Sequence, residues 1–447
     1  MRNEPRVAVG IMDRRSEVFG RLNGSFSANG SGPVSGPFSA KAAGKRVLLF
    51  DEANREICRS SSIKLRPSED PTHSQARTVS EPTFTLFHVT VGNRFHWEKA
   101  EDQTFRGDLI FRTAGDGTLA AINEILPEDY LTSVISSEMS PLAPQEFLKA
   151  HAILSRTWLL AALDRKRAKG SFLPEKEPSP KGEEVIRWYD REDHDLFDVC
   201  SDDHCQRYQG ITKIATKQTE EAVRETRGKV IAYKDEICDA RYSKACGGIT
   251  ECFDTAWGER QVPYLASITD GPGLRPLIKT EGEASAWILS EPEAYCNTKD
   301  ERLLEKILPD VDRETKNFFR WTIGYSRKEL EEILGEKSGY DFGTLKEVIP
   351  LRRGPSARIS RLKIVGSKRS MVVGKELEIR RWLSRSHLYS SAFVVKRETD
   401  RFIFYGAGWG HGVGLCQIGA AVMAARGFTT EQILAHYFPG AKIKKIY

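Results

Sequence analysis

Pro127-Glu128-Asp129-Tyr130-Leu131-Thr132-Ser133-Val134-Ile135-Ser136-Ser137-Glu138-Met139-Ser140-Pro141 is the stretch on which the fold turns. A proline and two acids stand where the first turn of a helix leaves amides unpaired and carries positive partial charge; apolar residues follow at Leu131, Val134 and Ile135. The spacing predicts a helix that breaks at Ser140-Pro141. Beyond it Phe147, His151, Leu154, Trp158 and Ala161 recur at intervals of three and four, so a longer helix is expected from about Pro144 to Ala168, making a helical hairpin with the first. Lys169 to Glu184, with three prolines and mixed charge, reads as a solvated linker.

Towards the N-terminus, short β-type runs such as Val7 to Ile11 and Val47 to Phe50 alternate with Gly, Ser and Pro-rich loops, which predicts a β-rich lobe over 1–115. Towards the C-terminus, Lys229 to Tyr233 and Ile237 to Tyr242 read as a hairpin. Leu303, Leu304, Ile307, Leu330, Ile333 and Leu334 give 276–350 the spacing of an inserted helical subdomain. Strands return at Glu376 to Arg380 and Phe402 to Tyr405, before a small-residue helix from about Val413 to Arg426 and a short one from Thr430 to Tyr437. The expected class is α+β, with helices packed on antiparallel strands and core segments at 116–275 and 351–447.

The chain has 447 residues, 67 basic and 62 acidic, a formal charge of +5. That balance, with 40% hydrophobic and 29% charged residues, fits a globular chain and argues against a polyanionic partner. No basic and aromatic interleaving marks a nucleic-acid groove. No apolar run approaches the roughly 20 residues of a membrane span, and Met1 to Gly10 lack a secretory core, so neither a span nor an export signal is expected.

Glu138 is the most informative carboxylate. It falls four residues after Val134 and seven after Leu131, on the apolar stripe of its helix. Loss of solvation disfavours a charged carboxylate, the condition for a carboxylic acid to donate a proton near neutral pH. The same position also fits a cap on the next helix or a partner for Arg156. His194, Cys200, His204 and Cys205 form a second cluster, whose sulfur and imidazole donors favour tetrahedral zinc; a Cys200–Cys205 disulfide or two buried thiols fit the residues as well. Gly408-Trp409-Gly410-His411-Gly412-Val413-Gly414 is a third feature. It lacks the Lys-Ser/Thr of a phosphate loop, so a nucleotide site is not expected, and a tight turn before a helix is the plain alternative. Cys246 has no neighbour in sequence that would activate a thiolate, which leaves a structural thiol or a bridge with Cys252 or Cys296.

Together these blocks resemble the SpoIID/LytB family of bacterial cell-wall proteins. The resemblance rests on Glu128 to Leu131, Ser137 to Met139, Leu148 to Ala152 and Ser155 to Thr157; on His204 to Gly210; on Gly247 to Trp257 with Pro263 to Leu265; and on Gly408 to Gly419 with His436 to Gly440. It implies a peptidoglycan lytic transglycosylase of cell-wall remodelling or sporulation, cleaving the β-1,4 bond between N-acetylmuramic acid and N-acetylglucosamine and closing a 1,6-anhydro ring, with Glu138 as the catalytic acid. It also implies one zinc, of structural role, on His194, Cys200, His204 and Cys205. Arg156, His411, Gln417, Gly410 and Gly412 become candidate glycan-binding residues. The partner is the peptidoglycan glycan strand, the implied location the cell envelope, and the alternative function a non-catalytic enhancer of a cell-wall amidase.

Overall fold

A computed structural model describes residues 3–68, 81–92, 98–168, 182–188, 194–213, 216–313, 315 and 317–447. The fold is α+β with a large β-rich N-terminal sheet. No described helix is long and apolar enough to cross a membrane. Most of the linker read at Lys169 to Glu184 lies outside the described residues. Contacts divide the chain into two compact units that are interleaved in sequence. The first takes Met1–Pro141, Asp193–Lys229 and Lys445–Tyr447; the second takes Leu142–Glu192 and Val230–Lys444.

The first unit is built on strands β1 (Val7–Arg15), β2 (Glu17–Ala28), β3 (Pro33–Ala43), β4 (Arg46–Asp51), β5 (Glu56–Ser60), β6 (Ser62–Pro67), β7 (Thr83–Val91), β8 (Lys99–Phe105), β9 (Asp108–Thr113) and β10 (Leu119–Ile125). Alternation makes them strands: in β2, Val18, Leu22, Phe26 and Ala28 point inward while Glu17, Arg21 and Asn23 do not. The order β1-β10-β9-β6-β2-β3-β4-β5 is antiparallel, and β1 takes a further, parallel partner from far along the chain, Val199–Cys200. Helix α1 (Pro127–Glu138) follows, with Pro127, Glu128 and Asp129 in its first turn as the sequence predicts. From Ser133 to Glu138 every residue is buried, so the helix is not amphipathic at this end and the apolar stripe does not single Glu138 out.

In the second unit, helices Gln145–Ala168 and Thr430–Tyr437 lie where their periodicity predicts them. Two readings are corrected. Glu376–Trp382 is a helix, not a strand: Glu378 accepts from the Trp382 indole and Arg380 donates to Glu376, contacts that need the four-residue helical repeat, although Glu-Leu-Glu-Ile-Arg alternates in polarity. The 276–350 segment carries the expected helices Glu301–Ile307 and Arg327–Ser338 and a further one, Glu281–Leu289, but it also contributes strand Arg320–Ser326, paired along its length with Arg401–Ala407. It is therefore woven into a sheet of this unit. The hairpin ends early, at Glu236–Ile237, and the helix expected from Val413 begins at Gln417.

Where those paired strands cross, a Cβ on Gly406 would stand 2.0 Å from Trp321 Cζ2, inside the buried cluster of Trp321, Leu330, Ile333 and Phe404. Gly406→Ala is expected to destabilise the protein by about 1–3 kcal/mol in urea unfolding, because a packed indole has no room to retreat.

Candidate functional site

The residues around Glu138 are assembled from three places in the first unit. The segment before Cys200 is laid on the sheet edge. Val199 and Cys200 pair with Val9 and Gly10 of β1, the Asp198 amide donates to the Ala8 carbonyl, and Asp198 Oδ2 accepts from the Ala8 amide. Gly10 has no side chain because the Phe197 ring occupies that space: a Cβ there would meet it at 2.5 Å. Phe197 packs with Ile110, Ala120 and Ile122, and its ring lies 4.5 Å from that of His194.

This footing brings His194, Cys200, His204 and Cys205 together, with donor atoms all within 4.8 Å of one another. Cys205 Sγ lies 3.5 Å from His194 Nε2 and 3.5 Å from His204 Nδ1, and Cys200 Sγ lies 3.8 Å from His204 Nδ1. Zinc arms of about 2.3 Å to sulfur and about 2.0–2.1 Å to nitrogen set sulfur-to-nitrogen edges of about 3.5 Å in a tetrahedron, so the donor set fits that ion. Cys205 holds the Cys200 thiol low, while Cys200 and burial push Cys205 up.

The chain then runs straight from the Cys/His cluster to Glu138. Two residues past Cys205, the Arg207 amide donates to Glu138 Oε1 at 3.0 Å, and the Arg207 guanidinium reaches back to Asp203 at 2.6 Å. The Gln209 amide donates to Ser133 Oγ, and the Tyr208 hydroxyl to Asn123 Oδ1 at 2.6 Å, with Tyr208 stacked on Tyr130. Residues 205–209 therefore form a strap along α1, fixed at one end by the Cys/His set. Glu138 is buried but not sealed, keeping 9% of its surface exposed. A cavity of about 600 Å³ in this unit is lined by Arg106, Glu128, Asp129, Lys213 and Arg227, at the other end of α1 from Glu138.

The remaining candidates lie in the second unit. Gly408, Gly410, Gly412 and Gly414 all have positive φ, between 74° and 91°. At Gly412 the reason is space as well: a Cβ would stand 2.4 Å from Cζ of the buried Arg358, whose guanidinium donates to the Gly410 and Cys246 carbonyls. His411 is half-buried, its Nδ1 accepting from the Val413 amide; burial foremost, then Arg241 and Arg358, keeps it neutral, well below the usual imidazole range. Arg156 has no exposed surface, and Gln417 is buried with its amide 3.1 Å from His151 Nε2. These two side chains are core groups as the unit stands. Spacing alone did not separate such inward polar residues from groove residues.

His151 carries a pH consequence. Burial foremost, and Lys244, lower its pKa from 6.5 to about 3. Between those values the unfolded chain holds a proton that the folded chain refuses, so stability present above pH 6.5 drains away as pH falls, by about 1.4 kcal/mol per pH unit for one ring. His151→Gln is expected to flatten the slope of urea-unfolding stability between roughly pH 6 and pH 4.

Residues 115–233, which carry α1, Glu138 and the whole Cys/His set, match the family model described as stage II sporulation protein. Stage II sporulation protein D of Bacillus subtilis is 25% identical over 341 residues, covering 75% of this chain and 78% of that one. Over residues 115–233 the chain carries a SpoIID/LytB-family domain. An uncharacterised protein of Brachyspira hyodysenteriae is 28% identical over 340 residues, covering 76% of this chain and 72% of its own. The amidase enhancer of Bacillus subtilis is 24% identical over 230 residues, which is 50% of this chain but 32% of the enhancer. Residues 251–414 match a domain of unknown function (DUF8618). Within this SpoIID-type chain, sequence reasoning missed the Arg207 amide, which no side-chain pattern reveals, and Glu251, a fully buried carboxylate held by Ser356 and the Cys252 amide.

Proposed function

We propose that this SpoIID/LytB chain acts on the bacterial cell wall as a peptidoglycan lytic transglycosylase, with Glu138 as its acid and base. The observation that carries the reading is the strap: a carboxylate at the end of a buried helix, still open to solvent at one edge, is oriented by an amide two residues from a metal-ligand set. One carboxyl group is enough for this reaction. It gives its proton to the glycosidic oxygen as the bond from the muramyl C1 breaks; the muramyl C6 hydroxyl then closes on C1 and returns a proton to the carboxylate, so no water is consumed. The strap spares the acid an entropic search by fixing one of its oxygens.

Bound at His194, Cys200, His204 and Cys205, a zinc ion would have its four positions filled by protein and would supply rigidity to the loop. Glycan strands of peptidoglycan are the substrate, and the location is extracytoplasmic. The 24% identity to an amidase enhancer favours one second reading, a wall-binding protein that stimulates an amidase without cutting. Digestion of purified sacculi separates the two: release of 1,6-anhydromuropeptides supports the transglycosylase, and stimulation of an added amidase with no such release supports the enhancer.

A further inference from the structure

A second set of metal-type donors lies in the other unit, remote in sequence from the first. Cys246, Asp270, Cys296 and Cys416 come from four separate segments, and their donor atoms all fall within 4.8 Å of one another. All four residues are buried, with exposures of 2%, 0%, 3% and 0%. We infer that Cys246, Asp270, Cys296 and Cys416 hold a structural zinc ion, independent of the reaction proposed for Glu138.

Geometry favours an ion over a bridge. Cys246 Sγ and Cys296 Sγ are 3.8 Å apart. That is the sulfur-to-sulfur edge of a tetrahedron with arms of about 2.3 Å, against about 2.05 Å for a disulfide. Three sulfurs are also an odd number: any one bridge leaves a third thiol beside a carboxylate with no exposed surface. A charged carboxylate sealed in beside three sulfurs, as Asp270 is with no exposed surface, is costly unless a cation compensates it.

The surroundings have the form of an outer shell. Asp270 accepts from the Tyr437 hydroxyl and from the Cys296 amide at 2.9 Å, which fixes its plane. The Cys246 amide points at Cys416 Sγ at 3.2 Å, and Cys416 is the N-cap of helix Gln417–Ala425, where the helix dipole favours a thiolate. Gly419 makes the room, since a Cβ there would stand 2.3 Å from Asp270 Oδ1 and 2.5 Å from the Tyr437 oxygen. Four protein ligands close a tetrahedron and leave no place for water, so the role is structural: the ion ties together segments spread from 246 to 416.

Metal analysis of the full chain tests this. Elemental analysis is expected to find about two zinc ions per chain, about one in Cys200→Ser/Cys205→Ser, and about none when Asp270→Asn and Cys296→Ser are added to that pair. Cobalt exchange into the wild-type protein needs no variant: the thiolate-to-cobalt absorption should have the intensity of five thiolates, three from this site and two from the other. An intensity of only two thiolates, or a disulfide at Cys246, Cys296 or Cys416 in peptides mapped without reductant, overturns the proposal. Neither readout depends on cleavage of glycan.

Discussion

Glu138→Gln is expected to remove nearly all release of 1,6-anhydromuropeptides from sacculi, a loss of at least about 10²-fold and up to about 10⁴-fold in kcat, the range that a positioned general acid supplies. Glutamine keeps the length of the side chain and an oxygen that can accept the Arg207 amide, so the strap should stay in place. What it lacks is the proton to give and the anionic site to take one back. The variant should therefore bind sacculi and unfold as the wild type does. If it cuts at the wild-type rate, the acid is elsewhere; if neither protein cuts but both stimulate an amidase equally, the enhancer reading stands in its place.

The second large effect concerns the Cys/His set. Cys200→Ser/Cys205→Ser is expected to lose one zinc and stability on the order of several kcal/mol, because a structural ion's binding energy is largely folding energy. Activity should fall further than the metal's distance from the chemistry implies. Cys205 is two residues from the amide that holds Glu138, and a misplacement of about 1 Å in a reacting group can cost about 10²-fold. The check is a pair of measurements on one preparation: unfolding midpoint and anhydromuropeptide yield. A variant that has lost the ion and yet melts and cleaves like the wild type would leave the cluster without a role in either.

The sequence carried those parts of the site whose chemistry is local. The Cys/His cluster falls between 194 and 205, and α1 announces itself by Pro127 and two acids, so the cluster and the helix were legible. Glu138 was singled out by a stripe that the fold does not keep: α1 is buried on all sides at that end, and what distinguishes the residue is the amide it meets. Dispersed contacts were not legible. Cys246, Asp270, Cys296 and Cys416 are separated by insertions and share no spacing. Glu376–Trp382 alternates like a strand while folding as a helix. Arg156 and Gln417 have the residue types of a binding groove, but polar groups are also used to tie buried helices together, and type alone does not distinguish the two.

The parallel pairing of Val199 and Cys200 with β1 bears on how this protein can be cut down. The family match over 115–233 invites a minimal fragment with those limits. Such a fragment would lose Val9, Gly10 and the edge against which the Cys/His loop is braced, and Phe197 would lose Gly10 and Ile110 from its packing. The first fifteen residues brace the loop that carries the Cys/His set, so truncation from that side should disturb the strap that meets Glu138.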